Sequence, residues 1–228
     1  MTAAGAGGAE RACRVQCFGN EREPVIVIDG FSGRIEDIVQ RGRDATYSPA
    51  DGYPGVRSPF DPAYLALGEP LLGQALAEWF GLTKRFRSES CAFSIVSIRP
   101  EDLSPGQRRP HYDAPHGNLV AMVHYMQGPE TGGTAFYRHR ATGYEAITPE
   151  RVAHYEAAVT REEAEGGIAP PGYCYGNSNR YEMIGEIAAR PDRLIAYRGR
   201  LLHSGIIPTP PGSGTPRLTV NTFLIGEI

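Results

Sequence analysis

The chain has 228 residues, enough for one domain with its own core, and its 41% hydrophobic content excludes a disordered chain. Its 28 glycines and 19 prolines argue against a helical bundle and for a turn-rich, strand-rich fold. A net charge of −3 leaves no basic field to recruit nucleic acid or an anionic membrane.

Residues 1–11 are small and Gly/Ala-rich, with neither a basic stretch nor an apolar one. They read as a frayed tail and not as a secretory signal. Residues 21–30 carry Val25-Ile26-Val27-Ile28 and read as a short buried strand closed by a turn. A short helix is expected over 31–40, with Ser32 as N-cap and Ile35, Ile38 and Val39 on one face. Residues 41–62 form a long loop that holds Tyr47, Tyr53 and Arg57. Asp61-Pro62 opens helical segments that run to about residue 80, divided by Gly68 and Pro70 and closed by Gly81.

The texture then changes to strands. They are expected over 89–99, 118–127, 134–140, 193–197, 201–207 and 218–225, the last rich in β-branched residues. Polar loop fills 100–110. A helix is expected from Thr148-Pro149 to about Glu165, followed by a Gly/Tyr/Asn loop over 170–181. Short strands separated by turns indicate a sandwich, jelly roll or barrel. No apolar run approaches the roughly 18 residues of a membrane span. Cys13, Cys17, Cys91 and Cys174 complete no zinc set, and read as reduced, mostly buried thiols of a cytoplasmic protein.

The chemistry concentrates in His111-Tyr112-Asp113. In extended chain, residues i and i+2 point the same way, so this segment aims an imidazole and a carboxylate at one point. His203 supplies a third ligand. Two histidines and one carboxylate form the facial triad of non-heme Fe(II) oxygenases, which leaves three metal positions open. Arg217 and Thr219 share a strand face further on. A guanidinium pairs bidentately with a carboxylate, which makes Arg217 a cradle for the far end of a dicarboxylate. Fe(II), Asp113, Arg217 and a 2-oxoglutarate dianion sum to zero charge.

The pattern His111-Tyr-Asp113, Gly-Gly-Thr-Ala-Phe at 132–136, Leu-Leu-His203-Ser-Gly and Arg217-Leu-Thr219 resembles the prolyl-hydroxylase-like branch of the Fe(II)/2-oxoglutarate-dependent dioxygenases. The resemblance covers about residues 90–228. It implies a mainly β fold with flanking helices, the double-stranded β-helix, a cupin-like jelly roll. It further implies that His111, Asp113 and His203 hold Fe(II), that Arg217 grips 2-oxoglutarate, and that Thr219 matches the Ser/Thr of the family's Arg-x-Ser element. Halogenating relatives lack the carboxylate, so Asp113 favours hydroxylation, with decarboxylation of 2-oxoglutarate to succinate.

The chain is accordingly read as one domain over 1–228. Residues 1–88 supply the tail, a strand and bracing helices; residues 89–228 form the jelly-roll core, with an insert at 141–190. Tyr125 and Asn221 alternate with apolar neighbours and are candidates to orient 2-oxoglutarate, Asn118 a weaker one. His116 is expected in a loop beside the site and His124 in the core, with Arg138, His139 and Arg140 as a solvated cluster. Tyr144, Tyr155, Tyr173, Tyr175 and Tyr181 suit a substrate flap. The expected partners are molecular oxygen and a small-molecule, amino-acid or peptide substrate, with neither nucleic acid nor membrane. The competing reading is a cupin-like metal- or ligand-binding module without 2-oxoglutarate turnover.

Overall fold

The computed structural model describes residues 11–61, 64, 67, 69–83, 86–208, 211 and 216–226. The strands are β1 (Ala12–Phe18), β2 (Glu23–Asp29), β3 (Ser48–Pro49), β4 (Gly55–Arg57), β5 (Phe86–Val96), β6 (Leu119–Tyr125), β7 (Gly133–His139), β8 (Tyr181–Ala188), β9 (Arg193–Arg198), β10 (His203–Ile206) and β11 (Leu218–Gly226). The helices are α1 (Ile35–Asp44), α2 (Glu69–Phe80) and α3 (Val152–Gly166). None of the described helices is long and apolar enough to cross a membrane. One antiparallel sheet runs in the order β1-β2-β9-β6-β11-β5-β4-β3, and a second in the order β10-β7-β8. This is the jelly-roll architecture, a mainly β fold with flanking helices.

The apolar run of β2 shows why the large sheet is covered on both faces. Its four aliphatic residues are fully buried, yet they serve two different cores. Ile26 and Ile28 pack with Ile38 of α1 and Leu72, Ala75 and Leu76 of α2. Val25 and Val27 pack with Phe136 and Ile187 of the small sheet. Burying one such side chain stabilises the fold by about 1.5–3 kcal/mol. Helix α1 lies close to the sheet because Gly42 carries no side chain: a Cβ there would stand 2.9 Å from Leu218 Cδ2 and Phe93 Cδ1.

Several boundaries differ from expectation. Helix α1 begins at Ile35, because Ser32 is engaged elsewhere: its hydroxyl bonds Asp192 at 2.6 Å. Helix α3 begins at Val152, with residues 148–151 in a turn closed on the Thr148 carbonyl. Pro70 stands in the first turn of α2, where a missing N–H costs no helical bond. Gly81 follows the helix with φ +66°, as expected of a C′ glycine. The expectations for Pro62, Leu65 and Gly68 lie outside the described residues.

The long loop of 41–62 contains β3 and β4, which extend the large sheet through β5. The segment 141–190 is not insert throughout: Tyr181–Ala188 is β8, paired along β7. Strand β1 carries exposed polar residues along an edge and lacks an alternating pattern; pairing with the buried β2 holds it. At its end Phe18 stacks on Phe136, ring centroids 5.1 Å apart. All four cysteines are free, and Cys13 and Cys17 are exposed on β1, contrary to the buried reading.

Candidate metal centre and co-substrate pocket

The inner face of the large sheet and the small sheet enclose a cavity of about 530 Å³. Antiparallel register builds its wall. Arg57, Ser94, Thr219 and Tyr125 form one cross-strand row. Asn221 pairs with Val123, and Phe223 with Ala121 and through it Tyr197. Residues of the last two rows line the cavity, together with Thr134, His203 and Gly205 of the small sheet. The Gly132-Gly133 step is where β7 squeezes between its neighbours: a Cβ at 132 would strike the Ile206 carbonyl, and one at 133 the Ile187 carbonyl.

His111 is outside the main strands but pairs with His203 through two backbone hydrogen bonds of 2.9 Å. Two residues on, the Asp113 N–H donates to the Gly199 carbonyl at 2.7 Å. These bonds bring three side chains together across 90 residues of chain. His111 Nε2 stands 3.8 Å from Asp113 Oδ1, and His203 Nε2 3.6 Å from Asp113 Oδ2. One ligand atom from each residue lies within 4.8 Å of the others. His203 Nδ1 donates to the Leu201 carbonyl at 2.8 Å, which leaves the Nε2 lone pair facing the carboxylate. The Tyr197 ring packs edge-on against His203 at 4.7 Å.

Burial sets the charge states. It lowers both imidazoles to about 4, with His203 also repelling a proton on His111, so both are neutral near pH 7. The His111 ring, which lines the cavity, is half exposed, whereas His203 is buried. Burial raises Asp113 to about 6, against the opposing pull of His111 and Arg57. Asp113 Oδ2 is buried with no hydrogen-bond partner among the described residues. Two neutral imidazoles and a carboxylate with an unused buried oxygen fit a divalent cation.

The far end of the cavity has the opposite character. Arg217 Nη2 donates to the Gly133 carbonyl at 3.1 Å, and its guanidinium lies 5.8 Å from the Tyr125 ring centroid. Its Nε is buried without a partner among the described residues. Buried polar atoms are nearly always paired, so an unpaired guanidinium nitrogen beside a cavity suits an anion. Tyr125 does not line the cavity; its hydroxyl meets Thr134 Oγ1 at 2.7 Å, and Thr134 does line it. Thr219 Oγ1 donates to Asn221 Oδ1 at 2.9 Å, so the Asn221 amide, which borders the cavity, is held in place.

Other sequence candidates separate cleanly. His116 is exposed and, like Asn118, does not line the cavity. His124 is a core histidine, fully buried. His139 is buried too, between Thr142 at 2.9 Å and Glu162 at 3.1 Å, and Arg138 pairs with Glu145 and Glu182, so the solvated-cluster reading is corrected for these two, while Arg140 is exposed as expected. Of the five tyrosines around the insert only Tyr173 reaches the cavity, its hydroxyl bonded to the Ile98 carbonyl at 2.6 Å. Tyr155 and Tyr181 bond each other in a core instead. Tyr197 was legible only as a strand residue; nothing local marks it as facing a histidine on the other sheet.

A family model described as "Family of unknown function (DUF6445)" matches residues 9–224. No curated protein matches the chain. Among solved structures, the fold is similar to the non-heme alpha-ketoglutarate-dependent epimerase SnoN from nogalamycin biosynthesis. The identity is 10%, the cover 90% of this chain and 79% of that one, and the TM-score 0.53. The same epimerase in complex with Fe3+, alpha-ketoglutarate and nogalamycin RO gives 11% identity, 90% and 80% cover, and a TM-score of 0.54. A Pseudomonas putida prolyl-4-hydroxylase shares 13% identity over 91% of this chain and 95% of its own, with a TM-score of 0.47. The likeness to the epimerase establishes the fold as that of the Fe/2-oxoglutarate oxygenases, the double-stranded β-helix.

Proposed function

We propose a function for a chain that belongs to DUF6445, a family of unknown function: it is an Fe(II)/2-oxoglutarate-dependent oxygenase that hydroxylates a small-molecule, amino-acid or peptide substrate. The observation that carries this reading is the joint presence, in one cavity, of a His111–Asp113–His203 cluster and an unpaired Arg217 nitrogen.

Fe(II) with 2-oxoglutarate and dioxygen supplies the oxidation, in which a substrate C–H becomes C–OH while the 2-oxoacid becomes succinate and carbon dioxide. The protein contributes position and environment. Asp113 offers the anionic ligand, and its Gly199 backbone bond fixes where that ligand sits. His203 offers Nε2 because the Leu201 carbonyl occupies its other nitrogen. Burial keeps both imidazoles unprotonated at neutral pH, so the lone pairs remain available without a competing proton. Arg217, held by Gly133 over the Tyr125 ring, pairs with the distal carboxylate of the co-substrate. Thr134 and Asn221, each anchored by a second side chain, border the co-substrate's path between Arg217 and the metal ligands. Ala121, Val123, Ile207 and Phe223 add an apolar patch to the wall, against which a reacting C–H can be held away from water.

The test is spectroscopic and chemical. Anaerobic addition of Fe(II) and 2-oxoglutarate is expected to give a weak visible charge-transfer band, and admission of air is expected to give succinate. A protein that binds metal but shows neither band nor succinate is the cupin-like binding module instead.

A further inference from the structure

The cavity contains a second guanidinium that the metal and co-substrate do not use. Arg57 comes from β4, the short strand that the long 41–62 segment folds onto the edge of β5. It stands in the same cross-strand row as Thr219 and lines the same cavity as His111, Asp113 and His203. Its guanidinium lies over the Tyr53 ring at 4.4 Å, which holds it in place without using its hydrogen-bond donors. Arg57 makes no ion pair among the described residues, and its Nε is buried and unpartnered. The Tyr53 hydroxyl is buried too, with no hydrogen-bond partner among the described residues, and is near Arg217 as well as Arg57. Of the seven buried side-chain polar atoms without a partner among the described residues, four belong to this one cavity: Tyr53, Arg57, Asp113 and Arg217. Asp51, the only other acid in the lining besides Asp113, is exposed at the mouth and pairs with neither arginine.

The charge count shows what is missing. A divalent metal and two guanidiniums oppose Asp113 and a doubly charged co-substrate, which leaves one positive charge in the site. Arg217 is tied to Gly133 of the small sheet, at the end that receives the co-substrate. Arg57 enters from β4 of the large sheet and lines the cavity that Asp113 and both histidines line, so its unmet charge faces the space a substrate would enter. An uncharged substrate would leave that charge buried and unpaired. The cavity volume is in the lower half of the roughly 300–1,000 Å³ typical of small-molecule sites, and co-substrate takes part of it.

Resting on the oxygenase reading, the geometry points to a substrate that is a small carboxylic acid, its carboxylate held by Arg57 and the Tyr53 hydroxyl. The planar fork of Arg57 takes the two carboxylate oxygens, and the phenol donates to one of them. The substrate then spans from Arg57 on the large sheet to the metal ligands across the cavity, with its oxidised C–H at the end away from that carboxylate.

The test uses the full chain loaded with Mn(II) and 2-oxoglutarate. A panel of small carboxylic acids, N-acetyl amino acids among them, is titrated calorimetrically, each acid beside its uncharged primary amide. At least one acid is expected to bind about thirtyfold or more tightly than its amide. Arg57→Gln is expected to erase that preference and to change the affinity for 2-oxoglutarate by no more than about twofold. Arg57→Lys, which keeps the charge and the fold, is expected to retain part of the preference. Three results overturn the proposal: no acid binds better than its amide, the preference survives Arg57→Gln, or Arg57→Gln weakens 2-oxoglutarate as much as Arg217→Gln does. Failure to take up Mn(II) or 2-oxoglutarate at all overturns the oxygenase reading and this proposal with it, and is seen before any acid is added.

Discussion

A histidine–carboxylate cluster lies on each side of the large sheet, one rooted in His124 of its strand β6 and the other in His203 of β10, across the cavity on the small sheet, and the two are built to opposite ends. On the outer face His124 is fully buried, with Nδ1 against the Tyr64 hydroxyl at 2.6 Å and Nε2 against Asp192 at 2.9 Å. Asp192 also accepts from the Ser32 hydroxyl and from the Ser32 and Gly33 N–H groups. These donors hold its carboxyl below the usual range despite burial. On the inner face His111 and His203 stand 3.8 and 3.6 Å from Asp113, too far for hydrogen bonds, and Asp113 is raised to about 6. A histidine whose two nitrogens are both satisfied fastens a fold. A set of donors held just beyond hydrogen-bond range around a common centre is arranged for a ligand.

The comparison breaks most sharply at the inner face. Asp113→Ala or His203→Ala should lower metal affinity well beyond the roughly 10–100-fold that loss of an outer-shell partner costs. Mn(II) titration calorimetry measures this, and an unchanged affinity would move the metal elsewhere. Arg217→Ala should weaken 2-oxoglutarate about thirtyfold or more, since the distal carboxylate loses its buried partner. Metal affinity without 2-oxoglutarate should be spared.

At the outer face the effect should fall on stability alone. His124→Ala removes a packed ring and strands Asp192 and Tyr64, at a cost of about 2–4 kcal/mol. For a chain of this size the Tm should fall on the order of 4–16 °C. Metal affinity should stay within about twofold; a larger loss would mean that the two faces are coupled. The smallest effect has the opposite sign. The folded pKa of Asp113, about 6, lies above its unfolded value, so its charge at pH 7 works against folding of the metal-free protein. Asp113→Asn should therefore stabilise the metal-free protein by about 1–3 kcal/mol at pH 7. The gain should shrink as pH falls through 6 and vanish below the unfolded pKa near 4. Melting curves at both pH values check it, and an equal gain at low pH would refute the cause.

Much of the core was legible because its strands carry their own signals. Strand β11 alternates faces along Leu218–Gly226, and β2 announces itself by four consecutive aliphatics. Helix α2 and its Gly81 terminus obey local rules. Strands β1, β3, β4 and β8 lack such signals. They are edge strands or, for β4, a three-residue element next to the edge, held by a neighbour's unpaired backbone more than by their own side chains. The site divides the same way. His111, Asp113, His203 and Arg217 were found because each recurs in a short pattern of reactive residue types. Tyr197 and Thr134 were not, and the role offered for Tyr125 moved from lining the cavity to holding Thr134.

The sequence by itself determined which residues carry reactive chemistry, since residue type and i, i+2 spacing are local properties of the chain. It also determined the strand-rich class, through short apolar and β-branched runs separated by glycine and proline turns. Only the tertiary structure decided that Arg57 and Tyr53 line the same cavity as the histidine–aspartate cluster, and that His124 and His139 do not. Those outcomes depend on cross-strand register and on which face of a sheet a residue occupies, and a shift of one position in pairing would reverse each of them.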